Sequence, residues 1–133
     1  MKNLAVLLRA LQLSAHVYHN VVKGPQFFSD HEFLGSMYGT YENAYDSVVE
    51  RIIGTSGMEP AELFKLQQEA AKLLAGVPVV CDSAAIFAAL ISGESELREH
   101  CKAVTGSIGT LNLVAQLADD SEVRSYKLKQ RIK

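Results

Sequence analysis

Apolar stripes that return every three or four residues, cut by glycine and proline, run through almost the whole chain. Leu4, Leu8, Leu11, Ala15, Tyr18 and Val22 form the first stripe, one face of a helix. Lys23-Gly24-Pro25 stops it: glycine suits a helix C-terminus, and proline cannot continue a helix but can open one. A second stripe holds Phe27, His31, Leu34, Tyr38, Tyr41, Tyr45, Val48 and Ile52, which predicts a helix of roughly 28 residues ending at Gly54. Pro60 opens a shorter helix with Leu63, Leu66, Ala70, Leu73 and Leu74, ending at Gly76. The β-branched stretch Val77 to Cys81 surrounds Pro78 and is too brief for a sheet strand, so a buried connector is expected. Asp82 or Ser83 can cap a helix striped by Phe87, Leu90, Glu94, Leu97, Cys101 and Val104, with one acid among the apolar positions. A break at Thr105-Gly106-Ser107 then leads to a last helix carrying Leu111, Val114, Ala118, Ser121, Ser125 and Leu128. The alternative puts Gly106 and Gly109 inside one longer helix that ends near Asp119-Asp120.

Four long helices and one short one are the signature of an all-α four-helix bundle. The longer connection, with the short extra helix, falls between the second and third long helices. That crossover is the ferritin-like arrangement. At 133 residues the chain is one domain, 1–133, able to bury a core of its own. An apolar content of 48% argues against disorder, and a net charge of −2 gives no global field toward nucleic acid. Two cysteines, Cys81 and Cys101, suit a reducing compartment better than a disulfide framework. The longest apolar run, Ala84 to Ile91, is too short to cross a bilayer. Met1-Lys2-Asn3 runs straight into periodic sequence, so a cytoplasmic protein is expected.

On a helical wheel of the second helix, Leu34, Tyr41, Tyr45 and Ile52 fix the direction of the bundle's core. His31 lies about 60° to one side of it, and Gly35, Gly39, Asp46 and Glu50 lie further round, roughly 100° to 160° away. Asp46 and Glu50 are stacked at i and i+4 but point out of their own bundle, and two ionised carboxylates at that spacing repel. A positive group should sit near them. Each glycine costs a helix interior about 1 kcal/mol relative to alanine, which suggests a close approach there by another backbone, most simply a symmetry mate. His19 sits near the end of the first helix, just before the Gly-Pro turn. Imidazole nitrogen with carboxylate oxygen suits iron, zinc or manganese. Because the acids face outward, a metal site shared between two subunits, histidines from one and carboxylates from the other, fits better than one inside a single bundle.

"HNVVKGPQFFSDHEF" from His19, followed by "YENAYDSVVERI", resembles the signature of the Dps family, DNA-binding proteins from starved cells, a mini-ferritin branch of the ferritin-like superfamily. The pattern is His, a Gly-Pro turn, Phe-Phe, a second His twelve residues after the first, then Asp-x-x-x-Glu-Arg. The similarity is strong from His19 to Arg51, extends to "GTLNLVAQLADDSEVRSYKLKQ" from Gly109, and rests only on helix pattern between Gly54 and Thr105. It implies a dodecameric shell built from two-fold dimers. In such a shell His19 and His31 of one subunit face Asp46 and Glu50 of another. Iron is oxidised there by peroxide or O₂ and stored as ferric mineral, which protects against oxidative damage. One departure matters. The family usually carries a further carboxylate four residues after the second histidine, where this chain has Gly35. The loss of that ligand implies weaker metal affinity, or a second iron position that fills only with water as ligand, and iron oxidation that survives but is slow, which Gly35→Asp would accelerate.

Other residues read more plainly. His16 could add a ligand one turn before His19, or simply occupy a polar flank. His100 and Cys101 are adjacent, face different ways and make no site. Tyr38, Tyr41 and Tyr45 read as core packing, with a relay of electrons near the iron as the alternative. The family's usual lysine-rich N-terminal arm is reduced to Lys2. The basic run Lys127, Lys129, Arg131 and Lys133 could contact DNA phosphates weakly in its place, or could merely complement a helix dipole. The competing functional reading is a non-catalytic or weakly catalytic oligomer with a structural or DNA-condensing role.

Overall fold

The computed structural model describes residues 1–133 as five α-helices. They are α1 (Lys2–Val21), α2 (Phe27–Ser56), α3 (Pro60–Leu74), α4 (Ser83–Lys102) and α5 (Ile108–Arg131). The only strand-like feature is an isolated bridge between Lys23 and Asp82, so the connector before α4 is not a sheet strand; it is not buried as expected either, since Pro78, Val79 and Cys81 are exposed on the bundle's surface. The helix starts follow from local chemistry. Asp82 accepts a hydrogen bond from the Ala85 amide at 3.0 Å, and Ser107 accepts one from the Thr110 amide at 3.1 Å. These satisfy amides that the first turn of a helix leaves without partners. The break therefore falls at 103–107, and the single-longer-helix alternative is excluded. Pro60 stands at the first position of α3, where Glu59 and Glu62 form a reciprocal capping box. One boundary differs from the sequence reading: α2 runs through Gly54 to Ser56. The chain turns at Gly57, whose φ of +77° only glycine adopts without strain, and whose amide bonds the Ile52 and Ile53 carbonyls.

α1 packs on α2, α3 and α4, and α5 packs on α4 and α2. The N-terminus of α1, the C-terminus of α2 and the α4–α5 turn all line one cleft at one end of the bundle. Hence α1 is antiparallel to both α2 and α4, and the segment holding α3 must travel the bundle's length to start α4. The stripes named above are the core: Leu4, Leu8, Leu11, Ala15, Leu34, Tyr41, Val48, Ile52, Leu90, Leu97 and Leu128 are all buried. Leu7, Ala10 and Ser14 are buried on a second side of α1, where they meet Leu73, Gly76 and Val77 at the end of α3. Sharing α1 between the bundle and α3 is why this helix is apolar on more than one face. No helix is long and apolar enough to cross a membrane.

Two buried ion pairs tie the bundle together. Glu94, fully enclosed on α4, takes Arg124 of α5 in a two-pronged grip at 2.6 and 3.2 Å and also accepts the Tyr41 hydroxyl. Burial, with the negative charge of Glu94 added, pushes the Tyr41 phenol far above its ordinary range, so it stays a protonated donor. Tyr45 is a hydrogen-bond partner of Gln67 at 2.5 Å and carries the Arg9 guanidinium on its ring face. Asp30 is buried at the other end. It accepts Arg131 at 2.8 and 2.7 Å and the Ser83 hydroxyl, joining the start of α2 to the end of α5. Burial alone would raise the Asp30 carboxyl; hydrogen bonds from Arg131 and Ser83 and the charge on Arg131 together hold it below its ordinary value. Arg131 is thus spent on an internal pair. This corrects its reading as a DNA-facing cation; Lys127, Lys129 and Lys133 remain exposed.

Candidate metal centre

The Gly-Pro turn does more than reverse the chain. It lays the last turn of α1 against the first turn of α2, so that His19 and His31 stack with ring centroids 3.7 Å apart and planes 19° from parallel. Each ring is also tied to the other's backbone. His19 Nδ1 lies 2.6 Å from the His31 carbonyl, and His31 Nδ1 lies 2.8 Å from the His19 carbonyl. A carbonyl oxygen can only accept, so each Nδ1 carries the proton. In the neutral ring the lone pair is then on Nε2, the nitrogen a metal would use. Phe27 stacks on the far side of His31 at 5.0 Å, and Tyr38 meets His19 edge-on at 5.4 Å. Both imidazoles are half-buried and presented rigidly, the condition a ligand needs if metal binding is not to cost ordering entropy.

His16 stacks face to face on Tyr38 at 4.1 Å, with its ring 6.3 Å from that of His19. It is exposed, and aromatic contact accounts for its position. The tyrosines divide by role. Tyr41 and Tyr45 are buried and hydrogen-bonded in the core, whereas Tyr38 stands beside the histidine pair. His100 bonds the Glu96 carbonyl of its own helix, and burial pushes the neighbouring Cys101 thiol up, so the two form no site.

Asp46 and Glu50 are exposed, as the wheel requires. They lie 15 and 19 residues beyond His31 on a continuous helix. At 1.5 Å per residue these separations are about 22 Å and about 28 Å. The structure therefore does not bring the two histidines and the two acids of one chain together, and no three His, Cys, Asp or Glu side chains of the chain converge on one point. The cation expected beside the acids is also missing: the four ion pairs of the chain involve neither Asp46 nor Glu50.

The two glycines on this flank behave differently. At Gly35 a side chain would meet His19 itself, with Cε1 at 3.1 Å and Nδ1 at 3.2 Å from an added Cβ. The close neighbour there belongs to the same chain, which corrects the symmetry-mate reading for this glycine. Sequence reasoning saw the missing carboxylate but not this contact, because nothing in the one-dimensional pattern shows α1 crossing Gly35. At Gly39 nothing lies within 4 Å, so the helix surface is open.

A curated protein from Nostoc sp. (strain PCC 7120 / SAG 25.82 / UTEX 2576), the "Nutrient stress-induced DNA-binding protein", is 29% identical over 126 residues. The match spans 90% of this chain and 68% of that protein. No family model matches the chain. No solved structure matches it either.

Proposed function

We propose that this Dps-like chain is an iron-oxidising mini-ferritin whose metal centres are shared across a two-fold axis. Its similarity to the stress-induced relative and its all-helical bundle support the family reading, and the helix neighbours suit a ferritin-like crossover. The observation that carries the site is the locked His19–His31 pair, which offers two nitrogen donors with no further His, Cys, Asp or Glu of its own chain completing a metal site. Asp46 and Glu50 are the complementary half, exposed and without cations.

The register supports this pairing. If two α2 helices run antiparallel about a two-fold axis, His31 of one faces the acids of the other when the axis passes midway between them. The midpoints between position 31 and positions 46 and 50 fall at 38.5 and 40.5, on either side of Gly39. An added Cβ at Gly39 touches nothing in the chain, so a second backbone can approach closely there; Gly54, equally open, lies at the far end of α2 and off this midpoint.

The donor set of two imidazoles and two carboxylates suits Fe²⁺, which is substrate here. The residues hold the ion: the carboxylates neutralise its charge, and the carbonyl-bound Nδ1 protons fix the rings so that Nε2 faces it. Two Fe²⁺ ions give up one electron each to peroxide, which takes two protons and leaves as two waters. The ferric product passes to storage as mineral within a dodecameric shell.

Mixing defective chains tests the sharing. A His19→Ala/His31→Ala chain and an Asp46→Asn/Glu50→Gln chain should each fail to oxidise Fe²⁺, followed by ferric absorbance with and without peroxide. Co-assembled in equal amounts, they should recover about a quarter of the wild-type centres, because each mixed pair rebuilds one of its two sites. No recovery from a mixture shown to co-assemble would sink the shared centre. The competing reading, a non-catalytic shell, is favoured by Gly35 alone and requires wild-type particles to add nothing to the rate of Fe²⁺ oxidation in buffer.

A further inference from the structure

We infer that Arg131, at the far end of the chain from the histidines, is a positioning residue for His31 and acts on it through Asp30. The inference rests on the shared-centre reading above. The stack and the crossed hydrogen bonds tie His19 and His31 to each other. They do not tie the pair to the rest of the bundle. Both rings stand on helix ends, where backbone hydrogen bonding is incomplete. α2 begins at Phe27 without a side-chain cap, and His31 follows directly on its first turn. Another contact must fix the direction in which that turn points.

The fixed point is Asp30. It precedes His31, so the two side chains leave the helix about 100° apart, Asp30 into the core and His31 at its edge. Asp30 is 2% exposed and accepts both prongs of Arg131, at 2.8 and 2.7 Å, together with the Ser83 hydroxyl. Arg131 lies in turn over the Phe87 ring of α4, 5.5 Å from its centroid. The end of α5 and the start of α4 therefore clasp one side of the first turn of α2. The segment before it is held by the Lys23 amide, which donates to the Cys81 carbonyl at 2.8 Å. An arginine fork meets a carboxylate in one plane and from one direction, which a point charge does not. The clasp thus sets the rotation of the turn as well as its place. A side-chain tip stands roughly 5–6 Å from the helix axis, so a twist of about 10° carries it about 1 Å. A ligand site tolerates about 0.5 Å. Asp46 and Glu50 stand on the body of α2, so rotation of the first turn alone would shift the nitrogens against the acids that a second copy presents.

Co²⁺ titration of the assembled protein, read by calorimetry and by the visible d–d band of the bound ion, tests this alongside Fe²⁺ oxidation kinetics. Asp30→Asn/Arg131→Gln removes the fork and both charges together, so no ion is left buried alone. It should bind Co²⁺ about tenfold more weakly than wild type, as loss of a residue that orients a ligand does. KM for Fe²⁺ should rise by a similar factor while kcat stays within about twofold. A clasp that only stabilised the fold would do the reverse, lowering the amount of active particle and with it kcat, at unchanged KM and affinity. Arg131→Lys keeps the charge, and so the fold, but loses the fork; its affinity should fall about threefold. Wild-type affinity in either folded variant would overturn the positioning role of Arg131 and leave the shared centre standing. A wild-type protein that binds no Co²⁺, or binding that survives in His19→Ala/His31→Ala, would remove the shared centre and this inference with it.

Discussion

The proposed role of Asp46 and Glu50 can be separated from the fold cleanly, because neither makes an ion pair within its chain and both are exposed. Asp46→Asn and Glu50→Gln should each leave thermal stability of the isolated chain within about 0.5 kcal/mol of wild type. Each should still slow Fe²⁺ oxidation tenfold or more, measured as initial ferric absorbance. Glu94 is the opposite case. Removing it leaves Arg124 charged and enclosed, so Glu94→Ala should cost about 3–5 kcal/mol, measured by denaturant unfolding. Its position was legible as an anomaly, a lone acid in an apolar stripe. Its partner was not, since Arg124 lies thirty residues away on a helix whose arginine could equally have pointed to solvent. Asp30 gives a pH-dependent signature. Its folded pKa is depressed, so its contribution is fully present above the ordinary aspartate value near 4 and is lost as pH falls through the lower folded value. Thermal melts of wild type and Asp30→Asn should differ at pH 6 and converge below about pH 4; a gap that persists unchanged at pH 2 would contradict the pairing with Arg131.

At the scale of helices, Gly39 is the position where the two-fold proposal meets a direct check. A side chain there has open space in the single chain, so Gly39→Leu should not harm the bundle; replacing glycine should even favour the helix by about 0.5–1 kcal/mol. If α2 helices cross at this point, the same change should block assembly and shift the protein to single chains in size-exclusion chromatography. An assembled, iron-oxidising Gly39→Leu particle would put the crossing elsewhere. Helices were read well from sequence because their caps are local: Asp82, Ser107 and Pro60 act within one turn of themselves. Gly54 misled because a glycine inside a long helix costs only about 1 kcal/mol, which α2 bears to reach Gly57. The histidine pair was legible as two residues flanking a turn. Its stack and crossed hydrogen bonds were not, because they depend on how closely α1 and α2 approach.

For the whole particle, charge decides what can bind outside it. Each chain carries a formal net charge of −2, and assembly into the proposed shell would multiply that charge and repel DNA at long range. Attraction must then come from local patches. With Arg131 committed to Asp30, each chain offers Lys127, Lys129 and Lys133 at the end of α5. Contacts of that kind gain their free energy from released counterions, and each phosphate neutralised on duplex DNA adds about 0.9 to the steepness of the fall with log salt. A few lysines per patch against a net negative body predict binding that is measurable at about 10 mM salt and gone by about 150 mM. Gel retardation of linear duplex DNA across that range checks it, with a Lys127→Ala/Lys129→Ala/Lys133→Ala particle as the comparison. The triple variant should not retard DNA at any salt, while oxidising iron at the wild-type rate, because Lys127 and Lys129 lie on α5 and Lys133 just beyond it, whereas the proposed ligands lie on α1 and α2. Retardation that survives both the salt and the substitutions would mean that DNA is gripped by another face of the shell.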